Sequence, residues 1–294
     1  MDIRSSSTNV AVILEDRFRG ATLSCLESLA IASPLGFQGP RSLEYACAPR
    51  LQSARLYGYH LDWTRCSLTE LTSLVACEFV DSTMDVDGFA NVLKSCARIE
   101  HLDLQGVTLS WLGMTEAKYG SLKANTITCV RLDKLVMKGF SPWEIFLLLG
   151  MVDSPNLRYL SLETFPTIHT LPFSTCWCIG VDPIGLFPHL EKLELGEMTE
   201  PTLAILHHIS PPRHLHLDCS ETTIAAALTK FIQRNPTTNF AAGILELTAH
   251  GVREGDLDLL LDGGEYFPNL VEVTERSRFE LEKPHTSRYV SEGG

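Results

Sequence analysis

No stretch of the 294 residues approaches the ~18 consecutive apolar residues that a membrane-spanning helix requires. The longest strongly apolar run, IFLLLGMV, covers only Ile145 to Val152. The opening segment MDIRSSSTNVAVILEDRF is interrupted by Glu15 and Asp16 and lacks the apolar centre of a signal peptide. No run of Lys and Arg marks a basic patch, and the net charge is −12. An acidic surface does not attract polyanions, so neither nucleic acid nor an anionic membrane is the expected partner. The nine cysteines, an odd number, show no framework spacing. That usage fits reduced thiols and predicts a soluble cytoplasmic or nuclear protein. Signatures of catalysis are also missing. Gly263-Gly264 lacks the spacing and following Lys of a phosphate loop, no G-x-S-x-G elbow occurs, and no cysteine sits in a recognisable nucleophile motif. Neither an enzyme nor a cofactor site is expected.

What the chain does have is leucine at regular spacing. Apolar residues make up 45% and charged residues 20%, enough for a sizeable core. The length suits either two domains or one elongated solenoid. The pattern L-x-x-L-x-L is cleanest at IEHLDL from Ile99, LDKLVM from Leu132, LRYLSL from Leu157 and LEKLEL from Leu190. Looser copies begin at Leu26, Leu51, Leu71, Pro212, Ala242 and Leu270. The fourth position of each copy falls at 29, 54, 74, 102, 135, 160, 193, 215, 245 and 273, a mean spacing of about 27. That value lies inside the 20–29-residue period of leucine-rich repeats. Individual intervals run from 20 to 33, so the units are uneven.

In x-L-x-L the apolar residues alternate, which sends them to one face of a short strand and their neighbours to the other. Segments of helical spacing lie between the strands. SPWEIFLLLGMV opens on Ser141 as N-cap and Pro142 in the first turn. EPTLAILHHI begins similarly at Pro201, and SETTIAAALTKFIQRN aligns Ile224, Leu228, Phe231 and Ile232 behind a Ser220 cap. DVDGFANVLKSC places Phe89, Val92, Leu93 and Cys96 on one face. The expected fold is α/β, a leucine-rich-repeat solenoid with a parallel sheet on the concave side and helices on the convex side. About ten repeats are expected over residues 21–275, with weakly ordered flanks at 1–20 and 276–294. Loops are expected at Ile168–Leu186 and at Trp111–Thr128. Replacing Leu102, Leu160 or Leu193 with Ala is expected to cost ~2–5 kcal/mol each.

APRLQSARLYGYHLDWTRCSLTELTSL, residues 48–74, resembles the recurring unit of fungal F-box and leucine-rich-repeat-like proteins, in particular those of mushroom-forming fungi. Leu51, Leu56, Gly58, Leu61, Trp63, Leu68, Leu71 and Leu74 fall on its positions. LKSCARIEHLDL, residues 93–104, is similar to a second unit, with Ala97 where proline is usual. The resemblance covers about residues 23–275 and implies substrate recognition within a ubiquitin-ligase adaptor. Such relatives carry an F-box of some forty residues, which docks on a Skp1-type subunit. About 22 residues precede the first repeat here, without an L-P-x-E start. A Skp1-type partner is therefore expected only if an F-box is missing from this chain. A repeat-only fragment without independent function is an alternative expectation.

Three clusters carry potential chemistry. His214, His216 and Asp218 share one strand face at i, i+2 and i+4, the spacing of a converging metal set and the basis of an alternative reading as a metal-dependent hydrolase. The remaining ligands of such a site are absent, so ordinary variable strand positions are the favoured reading. Cys176-Trp177-Cys178 has no second pair beside it, and an aromatic loop is expected there rather than zinc. His207-His208 falls on an expected helix, one ring facing water and the other packed. The residues between the leucines form the expected partner-binding surface: Arg55, Tyr57, His101, Asp103, Gln105, Lys134, Lys138, Tyr159, Glu163, Lys192, Glu194, His214, His216, Asp218 and Glu246. Their mixture of aromatic, imidazole and both charge signs suits recognition of a protein, whose identity the sequence does not name.

Overall fold

The computed structural model describes residues 2–4, 22–32, 42–43, 48–58, 60–61, 68–110, 126–164, 186–196, 203–218, 224–234, 240–251 and 267–276. Among them, one turn geometry returns again and again. The carbonyls of Ala48, Leu68, Cys96, Cys129, Phe187, Ala241 and Phe267 accept hydrogen bonds from the amides of Leu51, Leu71, Ile99, Leu132, Leu190, Ile244 and Leu270, at 3.0 to 3.3 Å. Every side chain in both sets except Leu270 is buried. The core thus pins both ends of each turn, and its backbone groups stay satisfied internally. A strand follows each turn.

The chain forms two compact units, Met1–Phe140 with Leu147–Ser154, and Ser141–Phe146 with Pro155–Gly294. In the first unit the elements are β1 (Asp2–Arg4), β2 (Ser28–Ala32), β3 (Ser42–Leu43), β4 (Ser53–Tyr57), β5 (His60–Leu61), β6 (Ser73–Asp85), α1 (Val86–Ser95), β7 (His101–Ser110), β8 (Ile127–Thr128), β9 (Lys134–Phe140) and, after helix α2 (Pro142–Met151), β10 (Val152–Asp153). The order β1-β2-β4-β6-β7-β9 is parallel at every pairing. The short pairs β3–β5 and β8–β10 are parallel as well. The strands β4, β6, β7 and β9 are each seated by a shared carbonyl acceptor just before the preceding strand. Gln52 and Ser53 both donate to the Glu27 carbonyl, Thr72 and Ser73 to that of Gln52, and Glu100 and His101 to that of Thr72. This fixes a register without slippage at the strand starts.

Register turns the leucine pattern into buried columns. Leu29, Ala54, Leu74, Leu102 and Leu135 stack in one, and Ile31, Leu56, Ala76, Leu104 and Met137 in the next. All ten are buried. Helix α1 adds Phe89, Val92 and Leu93, with Cys96 just beyond, all buried as the helical spacing predicts. Asp87 in its first turn and Lys94 in its last complement the helix dipole. Gly58, Gly106 and Gly139 each lie four residues past the first leucine-column position and adopt φ of 60 to 75°. Only glycine takes that left-handed conformation without strain, so side chains are excluded there.

The second unit holds β11 (Tyr159–Thr164), β12 (Lys192–Leu195), a 3-10 turn (Ala204–His207), β13 (His214–Asp218), α3 (Ile224–Arg234), a second 3-10 turn (Ala241–Gly243), β14 (Glu246–His250) and β15 (Glu272–Arg276). These five strands pair in chain order, all parallel. Leu160, Leu193, Leu215, Leu247 and Val273 form one buried column. Leu162, Leu195, Leu217 and Ala249 form the other. At the start of α2, Ser141 donates to Glu144 Oε2 from both its amide (2.8 Å) and its hydroxyl (2.6 Å). Its carbonyl takes the Ile145 amide, which establishes the cap expected from Ser141-Pro142. The protein is therefore mixed α/β, with parallel strands and few helices. Among the described residues, no helix is long and apolar enough to cross a membrane.

One expectation needs correction. The repeat copy placed at Ala242, with Leu245 at its fourth position, is out of frame. Leu247 pairs with Leu215, and Leu245 is 37% exposed. The unit begins at Ile244, and Gly251, with φ 69°, then stands where Gly58, Gly106 and Gly139 stand in theirs. Of the helix expected from Pro201, Leu203 is α-helical and a 3-10 turn follows at Ala204–His207, while Pro201 and Thr202 lie outside the described residues. Ile209 instead bridges Leu186, with Leu186 N donating to His208 O (2.6 Å) and Ser210 N to Leu186 O (2.9 Å). Those bonds commit backbone groups that a longer helix would need. The expected Ser220 cap, most of both expected loops, Cys176-Trp177-Cys178, Gly263-Gly264 and both chain ends, apart from β1 and the start of the tail at Arg276, lie outside the described residues.

Candidate functional site

The strand face opposite the leucine columns carries the candidate residues. In the first unit its three columns are Ser28, Ser53, Ser73, His101 and Lys134; Ala30, Arg55, Val75, Asp103 and Val136; and Ala32, Tyr57, Cys77, Gln105 and Lys138. Arg55, Tyr57 and His101 are exposed, while Asp103, Gln105, Lys134 and Lys138 are half-buried. Gln105 Nε2 donates to Asp103 Oδ1 at 2.9 Å, so this carboxylate is held within its own strand. All seven residues expected on this face in the first unit lie on it.

In the second unit the columns are Tyr159, Lys192, His214, Glu246 and Glu272; and Ser161, Glu194, His216, Thr248 and Thr274. A third holds Asp218 and His250 in register. Glu163 follows Tyr159 and Ser161 on the same face of β11. A Cβ on Gly196 would come within 2.7 Å of Glu163 Cγ, so the glycine makes room for that side chain. The face is bonded across strands. Tyr159 donates its hydroxyl to Glu194 Oε2 at 2.5 Å. Lys192 Nζ sits 5.3 Å from the centre of the Tyr159 ring and 3.9 Å from Glu194. His214 Nδ1 lies 2.7 Å from Glu246 Oε2. Burial pushes His216 below the usual imidazole range, Lys192 and His250 add to that, and Glu194 and Asp218 oppose it.

Sequence reasoning missed His250, Thr248 and Glu272 on this face. The frame error at Ala242 concealed the first two, because Ala249 is too small to announce a core position. Had Ile244 been taken as the start, alternation through Leu247 and Ala249 would have brought His250 into view.

His214, His216 and Asp218 share a face as the alternation predicts, yet His214 Nδ1 is committed to Glu246. Among the described residues, no group of three His, Cys, Asp or Glu side chains is arranged to hold a metal ion. His207 is exposed, its ring 4.9 Å from that of Phe231, whereas His208 is half-buried and its Nδ1 has no partner among the described residues. Burial, with the neighbouring His207 adding to it, lowers the His208 pKa. The thiols of Cys96 and Cys129 are pushed up to about 11, chiefly by burial, the opposite direction from an activated nucleophile. Compared with known proteins, the chain matches no protein-family model, no curated protein and no solved structure.

Proposed function

We propose that each unit is a run of leucine-rich repeats and that its outward strand face binds a protein partner without catalysing a reaction. The observation that carries this reading is the in-register ladder itself. Buried leucine columns hold exposed and half-buried Tyr, His, Arg, Lys and acidic side chains at fixed spacing on successive parallel strands. Recognition draws on such pre-organised mixed surfaces, because little side-chain entropy remains to be lost on binding. The resemblance of residues 48–74 and 93–104 to F-box-associated repeats supports a narrower role, substrate recognition for a ubiquitin-ligase adaptor. In that role a Skp1-type subunit joins only through an F-box outside residues 1–294.

The test is affinity capture from cells that express the protein, followed by calorimetry with the captured partner. Tyr57→Ala, His101→Ala, Lys192→Ala and His214→Ala probe the strand faces, and Asn91→Ala and Lys94→Ala on α1 serve as controls. At least one strand-face variant should weaken binding about tenfold while the helix variants do not. Loss only in the helix variants would contradict the reading.

A further inference from the structure

The whole chain carries a net charge of −12, yet the described in-register columns on the strand face of the first unit carry more cations than carboxylates. Among the described side chains, its outward columns from β2 to β9 hold Arg55, Lys134 and Lys138, the two lysines with contacts of their own, and one carboxylate, Asp103, which already accepts from Gln105. Arg55 and Tyr57 stand at i and i+2 of β4, about 7 Å apart along the strand. Their lateral neighbours in register are small or aliphatic: Ala30 and Val75 beside Arg55, Ala32 and Cys77 beside Tyr57. Both side chains therefore rise above the sheet, and Tyr57 is 42% exposed. Among the described residues, Arg55 forms no ion pair or hydrogen bond. An exposed guanidinium with no anionic partner among the described residues, beside an exposed tyrosine, is the composition of an interface anchor.

We propose that Arg55 and Tyr57, with His101, Lys134 and Lys138 beyond them, form a docking site for an acidic segment of a partner protein. This rests on the strand-face reading above and adds the chemistry of the partner. The guanidinium takes a carboxylate in a two-pronged pair, the Tyr57 ring covers the adjoining aliphatic stem, and the lysines take a second acid. From β4 to β9 the sheet advances three strand spacings, about 14 Å, which four extended residues cross. A segment with acidic residues three or four apart therefore spans the site. A nucleic acid is the poorer match, since three cations neutralise few phosphates and the rest of the chain repels the strand.

Fluorescence anisotropy tests the proposal on the full chain, with labelled decaglutamate, decalysine and decathymidylate as probes. Decaglutamate should bind, more tightly than either other probe, and added salt should weaken it. Arg55→Ala and Tyr57→Ala should each reduce its affinity about tenfold with an unchanged circular dichroism spectrum, and Arg55→Lys should fall between. Preference for decalysine, equal binding of decathymidylate, or indifference to Arg55→Ala would each overturn it. Should a natural partner depend on Tyr57 but contact it through a non-acidic segment, the strand-face reading survives and this inference fails.

Discussion

Tyr159 on β11 and Glu194 on β12 are joined by a 2.5 Å hydrogen bond, and Glu194 lies in register with His216 on β13. The carboxylate therefore opposes the desolvation that holds the His216 pKa down. Glu194→Gln removes that opposing charge while keeping the size of the side chain. The His216 titration, followed by proton NMR, should move further below its position in the parent protein. A shift upward would contradict the arrangement.

Burial depresses the folded-state pKa of both His208 and His216 below the ordinary value of 6.5. The folded chain thus binds fewer protons than the unfolded chain in the acidic range. The stability these groups contribute is complete above pH 6.5 and is lost as pH falls through their folded pKa values. Thermal melts should show Tm declining on that acid side, and the decline should be shallower in the His208→Gln, His216→Gln double variant. An equal slope in both proteins would count against the assigned burial.

The corrected frame of β14 has its own consequence. Leu247 is buried in the column with Leu193 and Leu215, whereas Leu245 lies half outside. Leu247→Ala should cost ~2–5 kcal/mol in chemical denaturation, and Leu245→Ala under ~1 kcal/mol. The reverse order would restore the original frame.

Cys96 and Cys129, with thiols near 11 and buried, should resist iodoacetamide in the native protein at pH 8, while exposed Cys25 reacts. Mass spectrometry of the alkylated peptides reads this directly. Full labelling of Cys96 before denaturation would mean that its turn opens.

Alternation of leucines made the strand faces legible, because a period of two assigns every residue to one side once a single core position is known. It did not say where a strand begins. Leu245 and Leu247 have the same parity, and only the bond from the Leu245 amide to the Arg213 carbonyl places the first ahead of the strand. Val271, 70% exposed, occupies the same pre-strand position one unit later, with its amide on the Leu245 carbonyl. Side-chain partners were still less legible. Tyr159 and Glu194 are 35 residues apart, and His214 and Glu246 are 32 apart. Such pairs follow from register between strands, which the lengths of uneven connections do not encode.

The central claim, that the strand faces bind a protein, is tested most directly by hydroxyl-radical footprinting of the chain with its captured partner. Protection should appear at Tyr57 and His101, or at Tyr159 and His214, while Asn91 and Lys94 on α1 and Lys230 and Gln233 on α3 stay reactive. Protection confined to those helix residues, with all four strand residues unchanged, would contradict the account.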